Sequence, residues 1–131
     1  MTPRGDYRVS VTKDYLVFSS AHFITFAGHR CEGLHGHNYR VRVHLKAERL
    51  DGLGMVLDFA DLKAMMQEIL GPFDHQVIND IPPFDERNTT AELLSRYVFE
   101  EVERRLEGQD RVRVARVEVW ETDTSCAIYE P

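Results

Sequence analysis

The segment from His37 to Lys46 constrains the fold of this chain more than any other stretch. Its residues alternate in character without a break: the apolar set is Tyr39, Val41, Val43 and Leu45, and the basic set is Arg40, Arg42, His44 and Lys46. Because successive side chains of a strand point to opposite faces, the alternation predicts a strand with one face buried and the other in water. Such half-buried strands are typical of antiparallel sheets. His44 belongs to the basic set and is expected in water.

The remaining periodic segments predict an α+β chain. Strand-forming residues run from Tyr7 to Phe23, with Lys13-Asp14 as a possible interruption. Asp58 suits the N-cap of a helix that Gly71-Pro72 ends. In chain order the predicted strands are 7–23, 37–46, 112–121 and 125–129. Two helices are predicted between the second and third strands, at 59–70 and about 88–106. This ββααββ order predicts a four-stranded antiparallel sheet with two helices on one face, whose open edges favour assembly.

The third predicted strand changes parity along its length. Its apolar positions are even at the start and odd from Val117 onward. A bulge near Ala115-Arg116 would restore a single inward face. It would also place Glu121 on the side of Val117 and Val119, toward the interior, although a solvated glutamate is the commoner case at a strand end.

Composition limits the class of protein. With 131 residues the chain suits one domain, 1–131, and its net charge of −6 disfavours nucleic acid or an anionic membrane as the main partner. No stretch reaches the roughly 20 apolar residues of a membrane span, and the N-terminus lacks the apolar core of a signal peptide. Two cysteines, Cys31 and Cys126, make no disulfide framework, so a cytoplasmic location is expected. Cys126, in the last strand, is expected to be a buried structural thiol.

Histidine is the unusual residue, with six in the chain and two at the start of the second strand. His35 and His37 flank Gly36 and share the buried face of Tyr39, about 6.5 Å apart along the strand. His22 ends the first strand, and antiparallel pairing could bring it beside His37. Three imidazoles with an open fourth position form a typical catalytic zinc site, although buried histidines often only satisfy hydrogen bonds, and iron or nickel also accept imidazole. The sequence therefore predicts a metal site, with zinc preferred.

Other polar residues could serve chemistry near these histidines. Cys31 precedes His35 by four residues, and a thiol near a cation loses its proton more easily and becomes a base or nucleophile. It could instead be a fourth metal ligand or a small buried apolar residue. Glu32 is either a second base or a solvated loop residue. Asp74-His75 could form an acid/base pair if a loop conformation brings the two side chains together, but a plain surface pair is as common.

Several separated motifs together resemble one protein family. In chain order they are Phe18-Ser19-Ser20-Ala21-His22, the segment 31–39 (CEGLHGHNY), Asp74-His75, Thr90 with Glu92, and Trp120-Glu121. Over almost its whole length the chain resembles the 6-pyruvoyltetrahydropterin synthase / 6-carboxytetrahydropterin synthase family. The resemblance implies the tunnelling fold, in which three ββααββ subunits form a barrel. Two barrels stack as a homohexamer with active sites between subunits.

The resemblance also implies a role for each site residue. Cys31 would abstract a proton from the substrate, and Asp74 and His75 would relay a proton on its other side. Glu121 would anchor the pterin ring through its N–H and amino groups. The ligands of a catalytic Zn²⁺ would be His22, His35 and His37, and the pterin would lie near Thr90 and Glu92, where Ala91 replaces a threonine that is common in the family.

The implied activity is that of a lyase acting on 7,8-dihydroneopterin triphosphate. The short spacing from Cys31 to His35 is similar to that of the queuosine-pathway branch, which forms 6-carboxy-5,6,7,8-tetrahydropterin and acetaldehyde and releases triphosphate. Another branch has a glutamate in place of the cysteine and cleaves dihydroneopterin to 6-hydroxymethyldihydropterin for folate synthesis. With Cys31 and Glu32 side by side, the chain resembles a subgroup that serves both pathways. The resemblance leaves two more functions open: an enzyme that forms 6-pyruvoyltetrahydropterin, and a non-catalytic protein that binds a pterin or a metal.

Overall fold

The long alternating segment forms the central strand, and the other elements are arranged around it. The structure, a computed structural model, describes residues 5–11, 17–26, 29–30 and 32–131. Its strands are β1 (Tyr7–Val11), β2 (Val17–His22), β3 (Thr25–Phe26), β4 (His29–Arg30), β5 (His35–Ala47), β6 (Arg113–Thr122) and β7 (Ser125–Tyr129), and its helices are α1 (Phe59–Leu70) and α2 (Ala91–Arg105). Two short 3₁₀ turns, Gly71–Phe73 and Ile78–Asp80, lie between the helices.

The main sheet is antiparallel with the strand order β1-β5-β6-β7. β1 pairs with residues 43–47 of β5, and β2 pairs with residues 35–40 at the other end of the same edge. The predicted first strand is thus two strands in line, and Lys13-Asp14 lies outside the described residues. β3 and β4 pair with each other. Sequence periodicity could not predict them, because two-residue strands are too short to show a pattern.

The core lies between one face of the sheet and the two helices. Tyr39, Val41, Val43 and Leu45 of β5 are each no more than 1% exposed, which confirms the predicted inward face. The helices cover them with Leu62, Met66, Ile69 and Leu70 from α1 and with Ala91, Leu94, Val98 and Val102 from α2. The predicted α+β architecture, an antiparallel sheet with helices on one face, is confirmed.

Both helices begin at side-chain caps. Asp58 accepts a hydrogen bond from the Ala60 amide at 2.8 Å, and α1 has the predicted bounds. α2 begins at Ala91, later than predicted, with Thr90 as its N-cap. The two preceding residues are engaged elsewhere, since Asn88 and Thr89 bond to the segment after β2. In the described part of the chain, no helix combines the length and apolar character that a membrane crossing needs.

β6 contains the predicted bulge. His44 pairs with Arg116 and Leu45 with Val114, so Ala115 is the extra residue opposite β5. The bulge keeps Val114 and Val117 on the inward face, where each is at most 1% exposed. Because parity is restored there, Glu121 lies on the same side of the sheet as Val117.

Two expectations about single residues were wrong. His44 is not solvated, since its Nε2 lies 2.5 Å from a carboxylate oxygen of Glu118, which is itself 7% exposed. The alternation of the sequence placed His44 on the correct face of the sheet. Glu118 pairs with Arg42, two residues before His44, and lies on the same face, so the side chains of Glu118 and His44 come together. Cys126 is exposed rather than buried, because it pairs with Trp120 on the face that the helices leave uncovered.

The pairing of His44 with Glu118 gives a stability prediction. Burial raises the pKa of Glu118, but hydrogen bonds from His44 and from the Trp120 indole outweigh it and leave that pKa below its usual range. His44→Ala leaves this carboxylate short of a partner, so we expect a loss of about 1–3 kcal/mol in the free energy of unfolding. Urea denaturation at neutral pH measures it.

A double-mutant cycle with Glu118→Gln isolates the interaction. The pKa of Glu118 is lower in the folded chain than in the unfolded chain. The ionised carboxylate therefore adds to the free energy of unfolding, and this contribution is fully present above the ordinary pKa of a glutamate. It is lost as the pH falls through the lowered value. An equal effect of His44→Ala with and without Glu118→Gln would contradict the pairing.

Candidate metal centre and active site

Three imidazole rings meet where β2 pairs with β5. His22 lies opposite His35 in the register, and His37 follows two residues later on the same face. The ring centroids are 4.6 Å apart for His22 and His35, 5.0 Å for His22 and His37, and 4.8 Å for His35 and His37. One nitrogen from each ring lies within 4.8 Å of the other two. These three residues could hold a metal ion, as the sequence pattern predicts.

The hydrogen bonds of two rings fix their tautomers. His22 Nδ1 donates to the carbonyl of Thr89, and His35 Nδ1 donates to that of Gly33, each at 2.9 Å. A carbonyl oxygen can only accept, so each neutral ring carries its proton on Nδ1 and a lone pair on Nε2. The two Nε2 atoms are 3.1 Å apart. Two lone pairs so close repel each other unless a cation binds them, so this donor set fits a divalent metal.

His37 completes the donor set. Its Nε2 is buried and has no hydrogen-bond partner among the described residues, so this nitrogen is available to a ligand. Ligand nitrogens around tetrahedral zinc lie roughly 3.3 Å apart. The Nε2 atoms of His22 and His35 are separated by a similar distance, 3.1 Å. Burial lowers the pKa of His22, and the hydrogen bond to Thr89 and the charge of Glu121 oppose this only in part. A lowered pKa keeps the ring neutral, which metal ligation requires.

Two asparagines tie the segment after His22 to the loop between the helices. Asn79 accepts from the Phe23 amide at 3.0 Å and donates to the Phe23 carbonyl at 2.9 Å. Asn88 makes the same pair of bonds with Thr25, at 3.0 and 2.8 Å. These clamps hold in place the loop that carries Thr89, the acceptor for His22. Sequence reasoning did not identify them, because a loop asparagine gives no sign of its distant partner.

Two carboxylates approach the imidazole cluster. The oxygens of Glu121 lie 4.0 Å from Nε2 of His22 and 4.0 Å from Nε2 of His37. A carboxylate oxygen of Glu32 lies 3.8 Å from Nε2 of His35 and accepts from the Ile24 amide at 3.1 Å. Both are sequence candidates. Their negative charge favours a cation at the cluster.

Asp74 and His75 form an internal pair on the loop after α1. Asp74 Oδ1 lies 3.0 Å from His75 Nδ1 and accepts from the Ser19 amide at 3.0 Å. His75 has a φ of 57°, in the left-handed region, and this turn brings the adjacent side chains together. The bond from Ser19, with His75 beside it, lowers the pKa of Asp74. The carboxylate therefore stays charged and can orient the imidazole, whose ring is 79% exposed.

Two cavities flank the cluster. One, of about 510 Å³, has both His37 and His75 in its wall. The other, of about 310 Å³, is lined by Glu92 and Glu121, with the exposed Cys126 beside them. The imidazole cluster therefore lies between two spaces that each contain sequence-predicted site residues.

Two predicted site residues stand apart from this geometry. Thr90 acts as the N-cap of α2, its hydroxyl oxygen accepting from the Leu93 amide at 3.2 Å, and does not line either cavity. Cys31 lies outside the described residues, so its role as a base stays a prediction.

Asn88 gives a prediction for metal affinity. Asn88→Ala removes both bonds to Thr25 and loosens the loop that orients His22. We therefore expect the affinity for zinc to fall about tenfold, at the low end of the losses seen when a residue that supports a metal ligand is removed. Competition against a chelating indicator dye measures it. The matched control is Gln67→Ala, an exposed amide on α1. Equal zinc affinities for the two variants would show that the clamp does not support the cluster.

Comparisons with known proteins agree with the fold. A 6-carboxy-5,6,7,8-tetrahydropterin synthase of Bacillus subtilis is 32% identical over 95% of this chain and 87% of its own length. The human 6-pyruvoyl tetrahydrobiopterin synthase is 36% identical over 73% of this chain and 66% of its own. The solved structure of Caenorhabditis elegans 6-pyruvoyl tetrahydropterin synthase superposes with a TM-score of 0.82 at 25% identity, covering 100% of this chain and 99% of that one.

The family-level match spans nearly the entire chain. The family model described as 6-pyruvoyl tetrahydropterin synthase matches residues 10–131, which include all three clustered histidines and both flanking cavities. The extent of this match, together with the Bacillus subtilis relative and the shared fold, places the chain in the 6-pyruvoyl tetrahydropterin synthase family.

Proposed function

We propose that this chain is a zinc-dependent lyase. It converts 7,8-dihydroneopterin triphosphate to 6-carboxy-5,6,7,8-tetrahydropterin, acetaldehyde and triphosphate, a step of queuosine biosynthesis. The observation that carries the proposal is the convergence of three imidazole nitrogens within 4.8 Å, beside a cavity of about 510 Å³. Relatives from Bacillus subtilis and Haemophilus influenzae that are named 6-carboxy-5,6,7,8-tetrahydropterin synthase support the choice of product.

The proposed zinc ligands are His22, His35 and His37. Zinc bound there would supply Lewis-acid stabilisation of negative charge on a substrate oxygen. The hydrogen bonds of His22 to Thr89 and of His35 to Gly33 keep both rings in the ligating tautomer. This preorganisation means that two of the three rings need no change of tautomer when the metal binds.

Proton transfer in the proposal uses residues on separate loops. Cys31 takes the carbon-bound proton, and the His75 imidazole, oriented by the Asp74 carboxylate, exchanges a proton on the other side of the substrate. The wall of one cavity contains both His37 and His75, which supports a substrate lying between the cluster and this pair.

Pterin recognition falls to the other cavity. A carboxylate accepts two parallel hydrogen bonds well, and the ring N–H and amino group of a pterin present such a pair. Glu121 is the proposed acceptor, with Glu92 in the same cavity wall and Thr90 adjoining it as the helix cap. Since Glu121 also lies 4.0 Å from two of the imidazoles, a pterin bound to it would have its side chain near the metal.

We extend the proposal to a homohexamer with active sites between subunits. The observation in its favour is that β1 and β7 end the sheet, each with one edge unpaired among the described residues. Edges of this kind can pair with those of a second copy.

Product analysis tests the function. Zinc-loaded protein incubated with 7,8-dihydroneopterin triphosphate should release acetaldehyde and triphosphate together, with 6-carboxy-5,6,7,8-tetrahydropterin identified by chromatography and mass spectrometry. His37→Ala removes a ligand, so bound zinc and product formation should fall together, whereas the Gln67→Ala control should keep both.

Three outcomes would count against this function. Triphosphate release with only a pyruvoyl product would assign the pyruvoyl activity instead. Bound zinc and bound pterin without turnover would indicate a binding protein. Full activity of His37→Ala would show that the reaction does not depend on the imidazole cluster.

Light scattering on the same preparation gives the number of subunits and so tests the homohexamer.

A second activity is favoured by the position of Glu32. Its carboxylate lies 3.8 Å from His35 Nε2, within reach of a substrate at the cluster, and could act as the base that cleaves dihydroneopterin to 6-hydroxymethyldihydropterin. We expect Glu32→Ala to remove the hydroxymethyl product and to spare the carboxy product, as measured by chromatography after incubation with each substrate.

The matched control for this change is Glu32→Gln. It keeps an oxygen that can accept from the Ile24 amide but lacks the basicity of a carboxylate, so it should behave like Glu32→Ala. If both activities survive in both variants, Glu32 takes no part in either reaction.

A further inference from the structure

Three cationic side chains lie side by side across the sheet, far from the imidazole cluster. Arg8 on β1 pairs with Lys46 on β5, and Lys46 pairs with Arg113 on β6. Neighbouring strands are about 4.8 Å apart, so this basic row spans about 10 Å across three strands. Like charges placed directly opposite each other destabilise a sheet. The row is the more unusual because the whole chain has a net charge of −6.

Neighbouring carboxylates neutralise the basic row only in part. Arg113 pairs with Glu103 at 3.4 Å, and the same glutamate accepts from the Val114 amide. Arg8 and Lys46 form no ion pair with any other residue in the described ranges, and both are exposed. Two adjacent positive charges therefore remain available to a ligand.

The basic row lines a cavity of about 350 Å³. Two more arginines line it, Arg49 and Arg111, and the second is held firmly by donating to the carbonyls of Arg49, Met55 and Val56. Basic side chains outnumber acidic ones in the wall by five to three. The cavity thus combines a concave shape with excess positive charge.

This cavity is distinct from the metal centre. Lys46 follows His37 by nine residues on the same extended strand, a separation of about 30 Å. The two residues also have opposite parity, so Lys46 lies on the face that the helices leave uncovered, while His37 lies on the inward face.

We propose that the basic row and its cavity bind the phosphate chain of an oligophosphate anion, either free or as part of a nucleotide. A chain of linked phosphates places negative charges in a line, which matches three cations in a line better than a single compact anion does. Arginine supplies paired donors for phosphate oxygens and lysine a point charge. This site is independent of the lyase function proposed above.

Calorimetric titration of the purified full chain with inorganic triphosphate at low salt tests the site. We expect triphosphate to bind at the basic row, with at least a tenfold weaker affinity in the double variant Arg8→Gln/Lys46→Gln. The matched control is Arg96→Gln/Arg104→Gln, which removes the same charge from the exposed face of α2 and should bind within twofold of the unaltered chain. Chelation of bound metal contributes equally to all of these titrations, so the differences report the basic row.

Titration with ATP distinguishes the two sources of the ligand. Equal affinities for triphosphate and ATP, both reduced in the double variant, indicate recognition of the phosphate chain alone. Binding of ATP only, again reduced in the double variant, indicates a nucleotide. Urea denaturation checks that the variants are folded, and Arg8→Gln alone serves if the double variant is not.

The site is overturned if neither anion binds the unaltered chain, or if the double variant binds as tightly as the control. The double variant should keep its full rate of lyase product formation. Loss of anion binding with unchanged product formation separates this site from the function proposed above.

Discussion

The close approach of three imidazole rings, two of them with facing Nε2 lone pairs, is the constraint on which the site depends. Hydrogen bonds to the carbonyls of Thr89 and Gly33 turn the Nε2 lone pairs of His22 and His35 toward each other, 3.1 Å apart. His37 adds a buried nitrogen without a hydrogen-bond partner in the described part of the chain. A bound cation would relieve the repulsion between the two lone pairs, and the hydrogen bonds to Thr89 and Gly33 prepare this donor set in advance.

The rest of the fold keeps those rings in place. The antiparallel register of β2 and β5 sets the positions of all three histidines, and His22 is also held from the loop between the helices through Thr89. Asn79 and Asn88 each bond to both backbone groups of one residue in the segment after β2, much as a neighbouring strand would. The consequence is that the loop between the helices, which also carries Asp74 and His75, is connected to the imidazole cluster.

The two faces of the sheet serve different chemistry. The inward face carries the core and, at one end, the imidazole cluster. The other face carries charge: the His44–Glu118 pair in its middle and the row of Arg8, Lys46 and Arg113 at the end remote from the imidazole cluster. One alternating strand, β5, contributes to all of these features, because its two side-chain parities face different surroundings.

The sequence by itself determined the architecture and most of the site. Alternation in β5, the Asp58 cap and the parity change before Val117 predicted the inward face, the bounds of α1 and the bulge, because each depends on residues close together in the chain. The spacing of His35 and His37 likewise predicted two ligands on one face. Only the tertiary structure decided what depends on distant residues: the Glu118 partner of His44, the exposure of Cys126, and the asparagine clamps around His22. It also placed Arg8, Lys46 and Arg113 side by side, because strand register joins residues that no local pattern relates.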